Sequence, residues 1–187
     1  IYGFGLNNYG QLGNGTTTDS ASLVQQSMEE EKSVSDVLTV SVLISSGYDV
    51  SDLKEMDYTP IELKDSGVSL TDMVTSGFSV NELKDASYNA TELKDVSFNV
   101  SQLKDASFAV VELKEATFTA TEIKTGGFSI TEIKDASFTA VELKTEGFEA
   151  SVLKEAFNAS ELKDASYTVI ELKDASFNAI ELKEARF

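Results

Sequence analysis

From residue 48 onward the hydrophobic positions return every ten residues. Each copy reads aromatic, small polar residue, apolar residue, variable residue, Glu, Leu, Lys, Asp, Ala, Ser; fourteen copies follow one another and Phe187 opens a fifteenth. Numbered from the aromatic, position two is Asp, Thr, Ser or Asn in twelve of the fourteen, and position five is Glu, Asp or Gln in thirteen. That pairing is the capping box, in which the first side chain accepts from the backbone of the second residue and the second reaches back to the first. The aromatic at position one and the Leu or Ile at position six take the two places of a hydrophobic staple. Both signals predict one short helix per copy. Stop signals keep the same period. In residues 78–87 the helix is capped at Ser79, carries Glu82 as reciprocal partner, has Lys84 near its negative end and finishes at Ser87. Gly67, Gly77, Gly127 and Gly147 hold that last position in other copies, where a left-handed conformation closes a helix. The only proline, Pro60, falls on the first helical position, where no N–H is needed.

A helix of about seven residues is far below the ~12–15 that are marginally stable alone, so neighbours must hold it. Positions one, three, six and nine supply the apolar surface. Stacked copies then form core rows: Phe78, Tyr88, Phe98, Phe108, Phe118, Phe128 and Phe138 from position one, and Leu83, Leu93, Leu103, Leu113, Ile123, Ile133 and Leu143 from position six. The expected fold is mainly α: a solenoid of short helices over 38–187, with a β-rich N-terminal segment. Two helices per coil at about 8–10 Å spacing would give a rod on the order of 60–70 Å long. The competitor is a pentapeptide-like β-solenoid, since the decapeptide also reads as two tandem pentads. In that fold the fourth position points inward and should be small, yet Ile61, Ile170 and Ile180 stand there. The nine-residue copy 148–156, which lacks one turn residue, also suits a helix-turn unit better than a pentad coil.

The first thirty residues follow other rules. Residues 1–15 are rich in glycine and aromatics and free of lysine and acids, as short strands joined by tight turns require. The run Tyr2 to Asp19, with the Asn-x-x-Gly-Gln-Leu-Gly core Asn7-Asn8-Tyr9-Gly10-Gln11-Leu12-Gly13 at its centre, resembles an RCC1-type β-propeller repeat; Gly3 departs from the signature. The resemblance implies a partial blade at 1–27. Propellers need several blades to bury both faces, so the exchange-factor and chromatin-reading activities of some family members are not carried over. Residues 28–37, containing Glu29-Glu30-Glu31-Lys32, read as an acidic linker or helix start. Before them, Gly10 to Gly15 lacks the Gly-Lys-Ser/Thr of a phosphate-binding loop.

Charge and composition then narrow the function. The 187 residues carry a net charge of −17, with no basic strip to suggest nucleic acid or an anionic membrane as partner. No Cys and no His are present, which removes disulfides, Cys and His nucleophiles and the usual zinc ligands. No apolar run approaches the ~18 residues of a membrane span. Lysine at position seven and acids at positions five and eight suggest a surface striped with alternating sign, able to pair along or between copies. No catalytic, cofactor-binding or metal-ligating residue stands out, because identical carboxylates in every copy offer no environment that splits their pKa values. Asn14, Asn89, Asn99 and Asn158 begin Asn-x-Ser/Thr sequons, three of them made by an Asn cap meeting a polar fourth position.

The expectation is a non-enzymatic structural protein, a rod or subunit of a filament, appendage or surface assembly, whose partners are copies of itself or other subunits. It carries a weak preference for an extracellular, cell-surface or particle-associated place and reads as part of a longer protein. The alternative is a protein- or peptide-binding adaptor solenoid. The divergent copies at 48–77 would then supply the contact patch, with Met56, Val68, Met73 and Val74 as its candidates.

Overall fold

A computed structural model describes residues 40–187. The expected RCC1-like blade at 1–27 and the acidic linker at 28–37 lie outside the described residues. The chain divides into two compact units, 1–78 and 79–187. Within the described residues the first holds α1 (40–45), α2 (Val50–Glu55), α3 (Pro60–Asp65) and α4 (Leu70–Thr75). The second holds α5 (Val80–Asp85), α6 (Ala90–Asp95), α7 (Val100–Asp105), α8 (Val110–Glu115), α9 (Ala120–Thr125), α10 (Ile130–Asp135), α11 (Ala140–Thr145), α12 (Ala150–Leu153), α13 (Ala159–Asp164), α14 (Val169–Asp174) and α15 (Ala179–Glu184). No strand occurs among the described residues, so the β-solenoid alternative does not hold there.

Each helix is six residues long except α12, and four linker residues complete the ten. Its start is the capping box. At α10 the Ser129 hydroxyl accepts from the Glu132 N–H at 3.2 Å, while Glu132 accepts from the Ser129 N–H and hydroxyl, both at 2.7 Å. The full box recurs at every helix from α2 to α15 apart from α4, α8 and α12. At α8 the cap is Ala109, which has no acceptor, and only the return bond from its N–H to Glu112 remains, at 2.7 Å.

The end is equally regular. After α7 the Ser107 N–H donates to the Lys104 carbonyl at 2.8 Å and the Phe108 N–H to the Leu103 carbonyl at 2.9 Å. Those two bonds define a Schellman motif, and Ser107 takes the left-handed φ of 61° it demands. The aromatic therefore acts twice, closing one helix by its contact with position six and then stapling the start of the next. One linker does both tasks, which is why the period is as short as ten.

Helices two apart in the chain pack side by side: α2 on α4 in the first unit, and α6 on α8, α7 on α9, α11 on α13, α12 on α14 and α13 on α15 in the second. Consecutive helices also touch, as α8 and α9 or α9 and α10 do. A coil is thus two helices and twenty residues. Position six forms its centre, with Leu53, Leu63 and Met73 in the first unit and Leu83 through Leu172 in the second at 0% exposure. Full burial of one such side chain contributes about 1.5–3 kcal/mol, enough to hold helices that propensity alone could not.

Candidate functional site

Position seven carries the most distinctive polar geometry of the array. Lys84, on α5, reaches the end of α7: its ammonium donates to the carbonyls of Ala106 at 2.9 Å and Ser107 at 2.8 Å and lies 4.3 Å from the centre of the Phe108 ring. Two attractions converge there. A helix C-terminus presents unsatisfied carbonyls and a partial negative charge, and the face of an aromatic ring attracts a cation. Lys94 repeats the arrangement on α8 (Ala116 carbonyl 3.1 Å, Phe118 ring 4.3 Å), and so does Lys114 on α10 (Ser137 carbonyl 2.7 Å, Phe138 ring 4.2 Å). Lys104, Lys144 and Lys154 bind the carbonyls of Gly127, Ser166 and Ser176 over Phe128, Tyr167 and Phe177. In the first unit Lys54 does the same at Gly77 and Phe78.

Each of these lysines therefore ties one coil to the next. The sequence placed Lys84 at the end of its own helix; the structure moves its partner one coil onward, because the four-carbon stem spans the gap between stacked helices. The expected stripes of alternating sign change accordingly. These lysines are half-buried, while the position-eight acids such as Asp85, Asp95, Asp105 and Asp135 remain exposed. What faces solvent is mainly carboxylate.

Several of the box glutamates, Glu62, Glu122, Glu132, Glu142 and Glu171 among them, have depressed pKa values. In Glu62, Glu132, Glu142 and Glu171 the hydrogen bond from the cap residue's backbone N–H is the largest cause, followed by that from its hydroxyl. In Glu122 the Thr119 backbone N–H again lowers it most, against a smaller upward push from burial.

One region breaks the repeat rules, in residues 146–157. Helix α12 has only four residues, its cap position is Glu149 with no side-chain cap bond, and position five is Val152. Its turn lacks the left-handed residue found after the other helices. Neighbouring contacts compensate. The Tyr167 hydroxyl donates to the Phe148 carbonyl, and Lys134 pairs with Glu161 at 2.6 Å while lying 4.5 Å from the Phe157 ring. Glu146 reaches back to the start of α9, accepting from Ala120 N–H at 3.1 Å and Thr121 N–H at 2.8 Å. Phe148 is half-buried and, with Tyr167, Glu149, Glu171 and Asp174, lines a groove of about 520 Å³.

The sequence-derived residues fall as follows. Leu83, Leu93, Leu103, Leu113, Ile123, Ile133 and Leu143 are fully enclosed, and Phe78, Tyr88, Phe108, Phe118, Phe128 and Phe138 are 7% exposed or less. Phe98 is half-buried beside a groove. The proposed patch does not assemble as a surface: Met56 is exposed and Val68 and Val74 are half-buried, but Met73 is at 0%, because it occupies the position-six core row. Of the sequon residues Asn14 lies outside the described residues, and in Asn89, Asn99 and Asn158 the cap uses Oδ1, as in Asn99 accepting from Gln102 N–H at 3.0 Å. The carboxamide nitrogen, the atom a glycan would take, is not the capping atom, so cap and glycan do not compete for it. Among the described residues no cluster of acidic, His or Cys side chains is grouped to hold a metal ion, and no helix is long and apolar enough to cross a membrane.

Residues 47–119 and 97–157 match the family described as decapeptide repeat region, and residues 1–48 match the regulator of chromosome condensation (RCC1) repeat. The second match extends past the Tyr2–Asp19 run that carries the visible signature. No curated protein and no solved structure matches the chain.

Proposed function

Since the chain belongs to the decapeptide repeat family, we propose that it is a non-enzymatic structural repeat protein, a subunit of an extended filament, appendage or surface assembly. The observation that carries this reading is the reuse of one joint, a lysine ammonium shared between helix-terminal carbonyls and an aromatic face, from coil to coil. Most of the repeat's lysines, and the helix ends they reach, are spent on the array itself. Among the described residues most box glutamates repeat one environment, the bonds of their own cap residue, which supports a structural use of these carboxylates.

The inward lysines also set the conditions of assembly. Copies presenting mainly carboxylate repel, so association is favoured when salt screens them, within a Debye length of about 8–10 Å near physiological ionic strength. Pairing of exposed lysine and acid stripes would show the reverse dependence. Sedimentation velocity of the full chain from 20 mM to 1 M NaCl tests this. Association that grows with salt supports the reading, and a monomer at every concentration and salt opposes it.

A second reading, an adaptor that binds peptides, is favoured by one observation: the groove at the irregular repeat, lined by Phe148, Tyr167 and three carboxylates.

A further inference from the structure

We propose that the groove between the start of α12 and the end of α14 binds an arginine side chain presented by an extended segment of a partner protein. This inference goes beyond the assembly role and stands whether or not the array forms filaments.

Three departures from the repeat meet at this place. Glu149 occupies a cap position without capping, its one side-chain contact being the Ser151 hydroxyl at 3.3 Å. Phe148 is half-buried in a row that is otherwise mostly buried. Its carbonyl accepts from the Tyr167 hydroxyl, which fixes the two aromatics relative to each other. The first two departures leave side chains uncommitted and the third holds the two aromatics in place, and places where a repeat abandons its own rules are where binding is expected.

Charge selects the occupant. The lining holds three carboxylates, Glu149, Glu171 and Asp174, against one cation, Lys144. That lysine is already committed to the Ser166 carbonyl and the Tyr167 ring, and Glu171 is held by the Thr168 N–H at 2.6 Å. Glu149 and Asp174 remain to receive a ligand. The corresponding groove at Phe98 and Gly126 is of similar size, about 610 Å³, but has one carboxylate and one lysine in its lining. With the Tyr167 ring taken by Lys144, Phe148 is the aromatic left beside the two acids, and an arginine suits that set: its planar guanidinium stacks on a ring and offers paired donors to acids, which a lysine ammonium cannot do together.

The test is fluorescence anisotropy of a labelled Gly-Arg-Gly tripeptide on the full chain at 150 mM NaCl, with Gly-Gln-Gly as the neutral probe. Glu149→Thr and Asp174→Asn each remove one rim charge, and Asp135→Asn removes one from the exposed position-eight row elsewhere. Both rim variants should weaken binding about fivefold or more while Asp135→Asn changes it less than about twofold. Glu149→Thr should at the same time raise Tm by about 2–4 °C, because it restores a cap, so loss of binding cannot be blamed on unfolding. Equal effects from all three variants would mean diffuse attraction to a polyanion and would overturn the proposal. So would an arginine probe that binds no better than the glutamine probe.

Discussion

Replacing Lys84 by Met keeps most of the stem and removes the charge, which isolates what the joint contributes. The ammonium lies 4.3 Å from the Phe108 ring centre and donates to two carbonyls, at 2.8 and 2.9 Å. A partly exposed cation over a ring is worth about 0.5–1 kcal/mol. The carbonyl bonds and the helix-end field together add about 1 kcal/mol, net of the water they displace. The terms overlap, so Lys84→Met should cost about 1–2 kcal/mol, and Lys84→Ala about 1 kcal/mol more as the stem leaves the coil interface. Urea denaturation followed by circular dichroism reads the total. Because stacked repeats need not unfold in one step, hydrogen exchange at residues 103–108 should accompany it, and those amides should lose protection before the helices farther along. A double-mutant cycle with Phe108→Leu should return a coupling of about 0.5–1 kcal/mol. If Lys84→Met shifts neither the urea midpoint nor local exchange, or the coupling is zero within ~0.3 kcal/mol, the lysine is a solvated side chain and the joint has no energetic content.

Ser107→Gly, at a φ of 61°, should stabilise by about 0.5–1 kcal/mol by relieving the left-handed strain, and the gain would appear as a higher urea midpoint. Gly126→Ala should destabilise by about 1–3 kcal/mol, since its Cβ would lie 2.3 Å from Val100 Cγ1. Adding Val100→Ala should rescue it, recreating the Ala90 and Ala116 combination of a neighbouring coil. Glu62, Glu122, Glu132, Glu142 and Glu171 have folded-state pKa values below their unfolded ones, so their stabilisation is complete above the unfolded value near 4.3 and is lost as pH falls through the folded values. Tm should therefore hold between pH 7 and about 5 and drop below about 4.5, with a shallower drop in Glu132→Gln; identical pH profiles would contradict the linkage.

Helix boundaries were legible because they rest on bonds within three or four residues. Ser129 and Glu132, or Ser107 and Phe108, announce themselves in the ten-residue pattern. The coil joint was not legible, since Lys84 and Ala106 are twenty-two residues apart and a lysine beside an acid reads equally well as a solvated stripe. Its sequence signal is the pairing of lysine at position seven with an aromatic twenty-four residues later, as in Lys84 with Phe108 and Lys94 with Phe118, or twenty-three later across the nine-residue copy, as in Lys144 with Tyr167. Met73 was misplaced for a related reason. It was grouped with the divergent copies at 48–77, but position, not identity, decides burial, and a flexible methionine fills a leucine site in a core row. The groove at 148–175 had a visible trace in the missing residue of the short copy and in Glu149 and Val152 breaking the box. What those changes expose depends on α14, two helices on.

Electron microscopy of the protein from its native source, with two-dimensional averaging, tests the structural role most directly. The account predicts extended assemblies whose walls contain the chain and whose axial repeat is set by stacked coils. Monodisperse single particles at every concentration and salt, with no higher assembly, would contradict it.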